Sequence, residues 1–296
     1  MTVTTDENAD LTAADIAWDL EPLLGDAGSP ERLLDQADAI TDALQKYKGR
    51  VGSLDAGELA ELLTMAAKMA ELISRAGHYT SLRFSENTGD PERGAAMQAV
   101  RERTTTITTR SLFVDLEWAV VDDDHARTVL VDERLAFAKH HLETLRRTRP
   151  HLLTEPEETV LSETSVVGAD AWVRLFEEQT SAIQVTLPDV LGGAVPLMQA
   201  LSYLQHPEPE VRATSATAIT AALEPGLRTR AFIYNTLLLD RSVDDRLRSY
   251  PSWVSGRNLA NEASDESVDA LIRAVVARYD IPQRWYALKA RVLGVD

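Results

Sequence analysis

Residues 183–197 read IQVTLPDVLGGAVPL, and this short stretch decides the fold because the periodicity of the chain changes there. Ile183, Val185 and Leu187 alternate with Gln184 and Thr186, the two-residue period of a half-buried strand. Gly192-Gly193 then punctuates the run ahead of Val195 and Leu197, so the stretch predicts a two-stranded hairpin. On both sides of it apolar residues recur three and four positions apart, the spacing that lines one face of a helix. The predicted fold is mainly α and multi-helix: two helical blocks with one small β-hairpin between them.

Working back from the hairpin, the preceding block reads as a succession of helices. Ser29-Pro30 places a capping residue and a first-turn proline ahead of Leu33, Ala37, Ile40, Leu44 and Tyr47, a stripe that ends at Gly49. Leu59, Leu62, Leu63, Ala66, Met69, Ala70 and Ile73 mark a second helix reaching toward Phe84. A third starts at Asp90-Pro91 and runs through Met97, Val100, Ile107 and Leu116 to Val121. Asp122-Asp123-Asp124 predicts a break, and a fourth helix is expected from Glu133 to Arg149, stopped by Pro150. Thr154 and Glu157 have the spacing of a capping box for a fifth helix ending at Gly168, and Asp170 is expected to cap a sixth through Glu178.

Beyond the hairpin, helical periodicity resumes near Pro207 through Ala222, then over 227–247, 265–278 and 282–293. The expected organisation is a disordered polar tail over 1–14, a helical domain over 15–181, and the hairpin with further helices over 182–296. The boundary falls softly within 182–200. On the last helix Trp285, Leu288, Val292 and Val295 share one stripe, which predicts an apolar face in need of a partner and self-association through it.

Composition narrows the function classes. The chain has 296 residues, with 30 basic against 47 acidic side chains and a formal net charge of -17. Such a surface repels a phosphate backbone, so neither nucleic acid nor an anionic membrane is expected as a partner. With no cysteine, thiol catalysis, disulfides and thiolate-ligated zinc are excluded. The acidic start MTVTTDENAD lacks the basic-then-apolar pattern of a signal peptide. No apolar run approaches the roughly 18 residues of a membrane span, and a cytoplasmic location is expected.

Four local constellations invite chemistry, and each has a plainer reading. His140, Glu143 and Thr144 lie on one helix face, and with His151 they would make a metal-ligating set. Pro150, however, should end that helix before His151. Asp122-Asp123-Asp124-His125 suggests a hard-cation loop, but an EF-hand starting there needs glycine where Arg127 stands. A solvated connection with one Asp capping the next helix is the better expectation. Gly192-Gly193 belongs to no phosphate-binding glycine motif. His206–Leu223 resembles one HEAT-repeat helix, but a solenoid needs several stacked copies.

The final stretch, SWVSGRNLANEASDESVDALIRAVVARYDIPQRWYALKARVLGVD over 252–296, resembles oligoendopeptidase F-type enzymes, zinc metallopeptidases of the M3 family. The resemblance rests on the Arg257-Asn258-Leu259-x-Asn261 turn and the helix from Trp285-Tyr286 to Leu293-Gly294. Trp18-Asp19-Leu20, Glu157-Glu158 and Ile233-Tyr234-Asn235 resemble further family segments in the same order. The resemblance implies hydrolysis of oligopeptides by zinc held in a His-Glu-x-x-His helix downstream of these segments. None of the six histidines here is followed by Glu. The implied reading is therefore the front part of such an enzyme, truncated, with zinc belonging to the full-length family member and none expected in this chain. No catalytic, cofactor-binding or metal-binding residue is expected here, and the partners are oligopeptides and the missing catalytic half. A non-catalytic peptide-binding protein and a plain helical scaffold are the alternatives.

Overall fold

The computed structural model describes residues 18–188 and 191–295; the predicted tail over 1–14 lies outside the described residues. The fold is mainly α, with one two-stranded antiparallel sheet. Three long helices open it: α1 (Pro30–Leu44), α2 (Ala56–Glu86) and α3 (Pro91–Ala119). Their starts follow the sequence signals. Ser29 Oγ accepts from the Arg32 N–H at 3.3 Å, Asp55 and Glu58 close a reciprocal capping box, and Asp90 accepts from the Glu92 N–H at 2.9 Å. Each cap satisfies amide donors that the first turn of a helix leaves without a partner.

These helices enclose the main core. Leu33, Leu34, Ala37 and Leu44 of α1 meet Leu59, Leu62 and Leu72 of α2 and Ile107, Phe113 and Trp118 of α3, all at or below 2% exposure. Trp118 also donates from Nε1 to the Leu142 carbonyl at 2.9 Å, so its polar edge is satisfied within the core. Thr41, fully buried, turns its hydroxyl back to the Ala37 carbonyl at 2.9 Å, with Met69 Sδ 3.0 Å away, which satisfies the polar group within the core.

After α3 the chain departs from the predicted pattern. The acidic run does not separate α3 from a long fourth helix. Asp122 caps a helix of its own, α4 (Asp123–Leu130), accepting from the N–H groups of Asp124 and His125 at 2.9 and 3.1 Å. Ala126 and Val129 give that helix a buried face. The helix expected over 133–149 is correspondingly broken, into a 3-10 turn at Glu133–Leu135, α5 (Lys139–Arg147) and a second 3-10 turn at Arg149–His151. The bend buries Leu135, Ala138 and Leu142 together, which one straight helix would space along its length.

Two further helices complete the front of the chain: α6 (Glu155–Ser165) and α7 (Ala169–Ser181). Glu157 accepts from the Thr154 N–H at 2.9 Å, the expected capping contact. Asp170 makes no cap; Gly168 occupies that position and Asp170 sits in the first turn. The hairpin forms as predicted but is short: β1 (Gln184–Thr186) and β2 (Ala194–Pro196), with Val185 opposite Val195. Gly192 and Gly193 have φ of +104° and +66°, conformations that side chains with a Cβ resist. Val185 and Val195 turn to the same side and nucleate a second, smaller core with Leu187, Ala200 and Ile219. The last two belong to α8 (Leu197–Ser202), which periodicity did not signal, and α9 (Pro209–Leu223).

The chain continues through α10 (Leu227–Leu247), α11 (Ser255–Ala260), α12 (Asp265–Val276) and α13 (Asp280–Leu293). Over 221–295 only Ile233, Asp245, Ser255, Gly256 and Asn258 are buried. From Leu271 to Val295 every residue but Ala290 is exposed, the stripe Trp285, Leu288, Val292 and Val295 included. No helix among the described residues is long and apolar enough to cross a membrane.

Candidate functional site

The chemistry-bearing side chains converge where the end of α10 meets the turn before α6. Glu158 takes the Arg248 guanidinium with both oxygens, at 2.7 and 2.9 Å, the planar two-point pairing that arginine geometry favours. Glu158 also accepts from the Leu153 N–H at 3.1 Å, and Arg248 Nε reaches Asp244 at 2.8 Å. The Arg248 guanidinium and the Leu153 amide together hold Glu158 below the usual carboxylate range, against the opposing effect of its partial burial. The Glu158 and Asp244 carboxylates raise Arg248 in turn.

His151 completes this junction. Its Nδ1–H donates to the Arg248 carbonyl at 2.9 Å, which fixes the tautomer, and its ring stacks on Tyr250 at 4.0 Å. Burial pushes the Tyr250 phenol up. A second link lies between α5 and the turn after α11, where His140 Nε2 sits 2.8 Å from Glu262. Among the described residues Ser249 and Glu262 are the non-glycine residues with positive φ, +57° and +56°. Each ends its helix with a pair of back-turning amides: Ser249 to Arg246 and Tyr250 to Asp245 in one, Glu262 to Leu259 and Ala263 to Asn258 in the other. That motif ordinarily takes glycine at the left-handed position. Strained backbone therefore coincides with both links, a pattern associated with functional positions.

Beside the junction opens a cleft of about 600 Å³ lined by Leu238, Arg241, Asp245, Arg246, Tyr250 and Trp253. Arg241 Nε lies 3.0 Å from the buried Asp245 carboxylate, while Trp253 stands 81% exposed at the edge. Gly256 permits this packing, since a Cβ there would come 2.4 Å from Arg241 and 3.1 Å from the Tyr250 ring. The Arg-Asn-Leu-x-Asn turn is built on Asp265, which accepts from Ser255 at 2.7 Å and Asn258 at 2.8 Å. Those bonds hold the Asp265 carboxyl below its usual range. An exposed indole, a phenol and two guanidinium groups around one cleft suit contact with an extended polar chain. They do not assemble a nucleophile with a base.

The constellations weighed from sequence are not brought together. His140 engages Glu262 while His151 engages Arg248 and Tyr250. Asp123 takes Arg146 and Arg149, and Asp124 takes Arg127. No group of three or more His, Asp or Glu that could hold a metal ion occurs among the described residues, so these residues do not fit the zinc that the family resemblance implies. Sequence reasoning missed the Glu158–Arg248 pair, whose members stand 90 positions apart, beyond any local pattern.

Comparison with known proteins bears on the same segments. The family profile described as Oligopeptidase F, of the M3 N-terminal class, matches residues 117–184. Oligopeptidase PepF of Bacillus subtilis (strain 168) is 23% identical over 290 residues, covering 96% of this chain and 43% of the relative. The chain thus spans less than half the length of that curated relative. The crystal structure of oligoendopeptidase-F from Enterococcus faecium superposes with a TM-score of 0.78 at 16% identity, over 90% of this chain and 53% of the other. A putative peptidase from Chlamydophila abortus gives a TM-score of 0.58 at 19% identity, over 96% and 49% of the two chains. The profile match, the relative aligned along nearly the whole chain and the shared fold all make this chain similar to the N-terminal part of M3 oligoendopeptidase F-type proteins.

Proposed function

We propose that this chain is the N-terminal portion of an oligoendopeptidase F-like zinc metalloendopeptidase that hydrolyses short peptides. The observation that carries the proposal is the alignment along 96% of the chain to an oligopeptidase whose own length extends well beyond the aligned part. The division of labour follows from the chemistry on the page. These residues contain no His-Glu-x-x-His and no metal-fitting group among those described. Their contribution is to shape and line the peptide path, with the cleft at Arg241, Tyr250 and Trp253 as one wall, and no catalytic step is assigned to them. Residues 15–181 act as a helical domain, and the hairpin with the helices after it begins the peptidase domain.

The test is the native protein in its source cells, detected with an antibody raised against this chain. The expected result is an intact mass well above 32.6 kDa, with immunopurified material cleaving an internally quenched oligopeptide in a chelator-sensitive way. A native mass of 32.6 kDa with no cleavage overturns the proposal, and measurable affinity for unstructured peptides would then favour a non-catalytic peptide binder.

A further inference from the structure

Between α2 and α3 lies a cleft that the proposed function does not use. Ser74, Gly77, His78 and Ser81 recur on α2 at the three- and four-residue spacing of one helix face, and Arg101 and Thr104 stand one turn apart on α3. All six line a cleft of about 440 Å³ whose apolar walls include Ile73, Val100 and Val166. The volume falls in the range of small-molecule sites. Arg101 also lines two neighbouring clefts of about 370 and 330 Å³, so three openings meet at its side chain.

Arg101 is partly buried, yet among the described residues its guanidinium makes no ion pair and no hydrogen bond. Every other partly buried arginine among them donates to a carboxylate or a carbonyl. A guanidinium drawn partly out of water without acceptors loses hydration that the fold does not return. The hydroxyls of Ser81 and Thr104 are likewise without a hydrogen-bond partner among the described residues, whereas Thr105 and Thr108 of the same helix α3 turn theirs back to carbonyls of the preceding turn. Gly77 points to the same space independently. It stands inside a helix of 31 residues, where glycine is destabilising relative to alanine. A Cβ there would meet nothing within 4 Å, so no packing contact demands glycine, and its effect is to leave the cleft open over the α2 backbone.

We propose that this cleft binds a small monocarboxylate with an apolar body. The carboxylate is held at two points by the Arg101 guanidinium and by the Ser81 and Thr104 hydroxyls, and the body lies over Gly77 against Ile73 and Val100. Asp170 lines the same cleft without pairing with Arg101. A second negative group on the ligand would meet that carboxylate, so a monoanion fits where a phosphate dianion is repelled. The net charge of -17 gives anions no long-range attraction, so recognition rests on these local donors and on burial of the apolar body.

The test is calorimetric titration of the full chain with 4-phenylbutyrate, run at about pH 8, above the ordinary imidazole range. The neutral 4-phenylbutyramide serves as the control of equal shape. The expected result is saturable binding that weakens about tenfold both for the amide and in Arg101→Gln, and that is lost in Gly77→Leu, which fills the cleft. Arg101→Gln is expected to melt as the parent does and Gly77→Leu no lower, so a loss of binding in either is not a loss of structure. Binding of N-acetyl-Leu-Phe with its carboxyl-terminal amide failing would assign the site to peptide carboxyl termini; binding of 4-phenylbutyrate alone would assign it to small acids. Absence of saturable binding, equal binding of acid and amide, unchanged binding in Arg101→Gln, or displacement of the acid by an equal concentration of inorganic phosphate overturns the proposal. Failure of the peptidase reading leaves this result unaffected, because the cleft shares no residue with the one at Arg241, Tyr250 and Trp253.

Discussion

The first three helices and the last two have the same kind of sequence and opposite surroundings. α1 to α3 carry apolar stripes and bury them, with Leu33, Leu62, Ile107 and Trp118 at or below 1% exposure. α12 and α13 carry stripes as regular, yet Leu271, Trp285 and Val292 stand 64%, 59% and 76% exposed. The difference teaches that periodicity specifies which face of a helix is apolar and says nothing of what covers it. Coverage is a property of tertiary assembly, and helices of this length draw most of their stability from it.

The sharpest way to break the contrast is to make the same deletion in both regions. Trp118→Ala should cost about 4 kcal/mol, through lost transfer energy, a cavity and the lost bond to Leu142, lowering the urea midpoint accordingly. Trp285→Ala should change the unfolding free energy by less than about 0.5 kcal/mol, as exposed positions do. Equal effects would mean that α13 is covered in solution.

The junction between the two regions comes next. Arg248→Met leaves Glu158 with an unpaired and mostly buried carboxylate, and should cost about 3 kcal/mol at neutral pH. Because Arg248 depresses Glu158, the pair contributes stability above the ordinary carboxylate range and loses it as pH falls through the lowered Glu158 value. The gap between parent and variant should therefore shrink on acidification, and a gap independent of pH would contradict the pairing. Ser249→Gly tests the strained turn and should stabilise by about 1 kcal/mol, since glycine adopts the left-handed conformation freely.

The smallest effect on folding is expected from Trp285→Ser combined with Leu288→Ser. The melting of the front helices should be unchanged, while static light scattering should show less self-association. Scattering typical of a monomer in the parent itself would show that the exposed stripe does not mediate contact.

Much of this was legible from residues alone, for identifiable reasons. Caps are local, so Ser29-Pro30, Asp90-Pro91 and Thr154-x-x-Glu157 mark true helix starts, while the capping box of Asp55 and Glu58 went unread. The hairpin was visible because two-residue alternation and paired glycines are both short-range signals. The stretch over 122–149 misled because the acidic run reads as a breaker, whereas Asp122 uses its carboxylate to begin α4 at once. The candidate site was the least legible part. Glu158 stands in a recognisable segment, but Arg248, Tyr250 and Asp245 acquire meaning only when α10 is laid against α6.

The left-handed turn at Ser249 has a consequence for how the chain tolerates change in length. Arg248 and Tyr250, two positions apart, both dock on the front of the molecule, one through Glu158 and the other through the His151 ring. Reversal of the backbone at the residue between them lets neighbours in the chain share one docking surface. Adding or removing a single residue there would swing one of the two side chains away, whatever residue was chosen. In this chain the number of residues across that turn should be under tighter constraint than the identity of the residue at its centre.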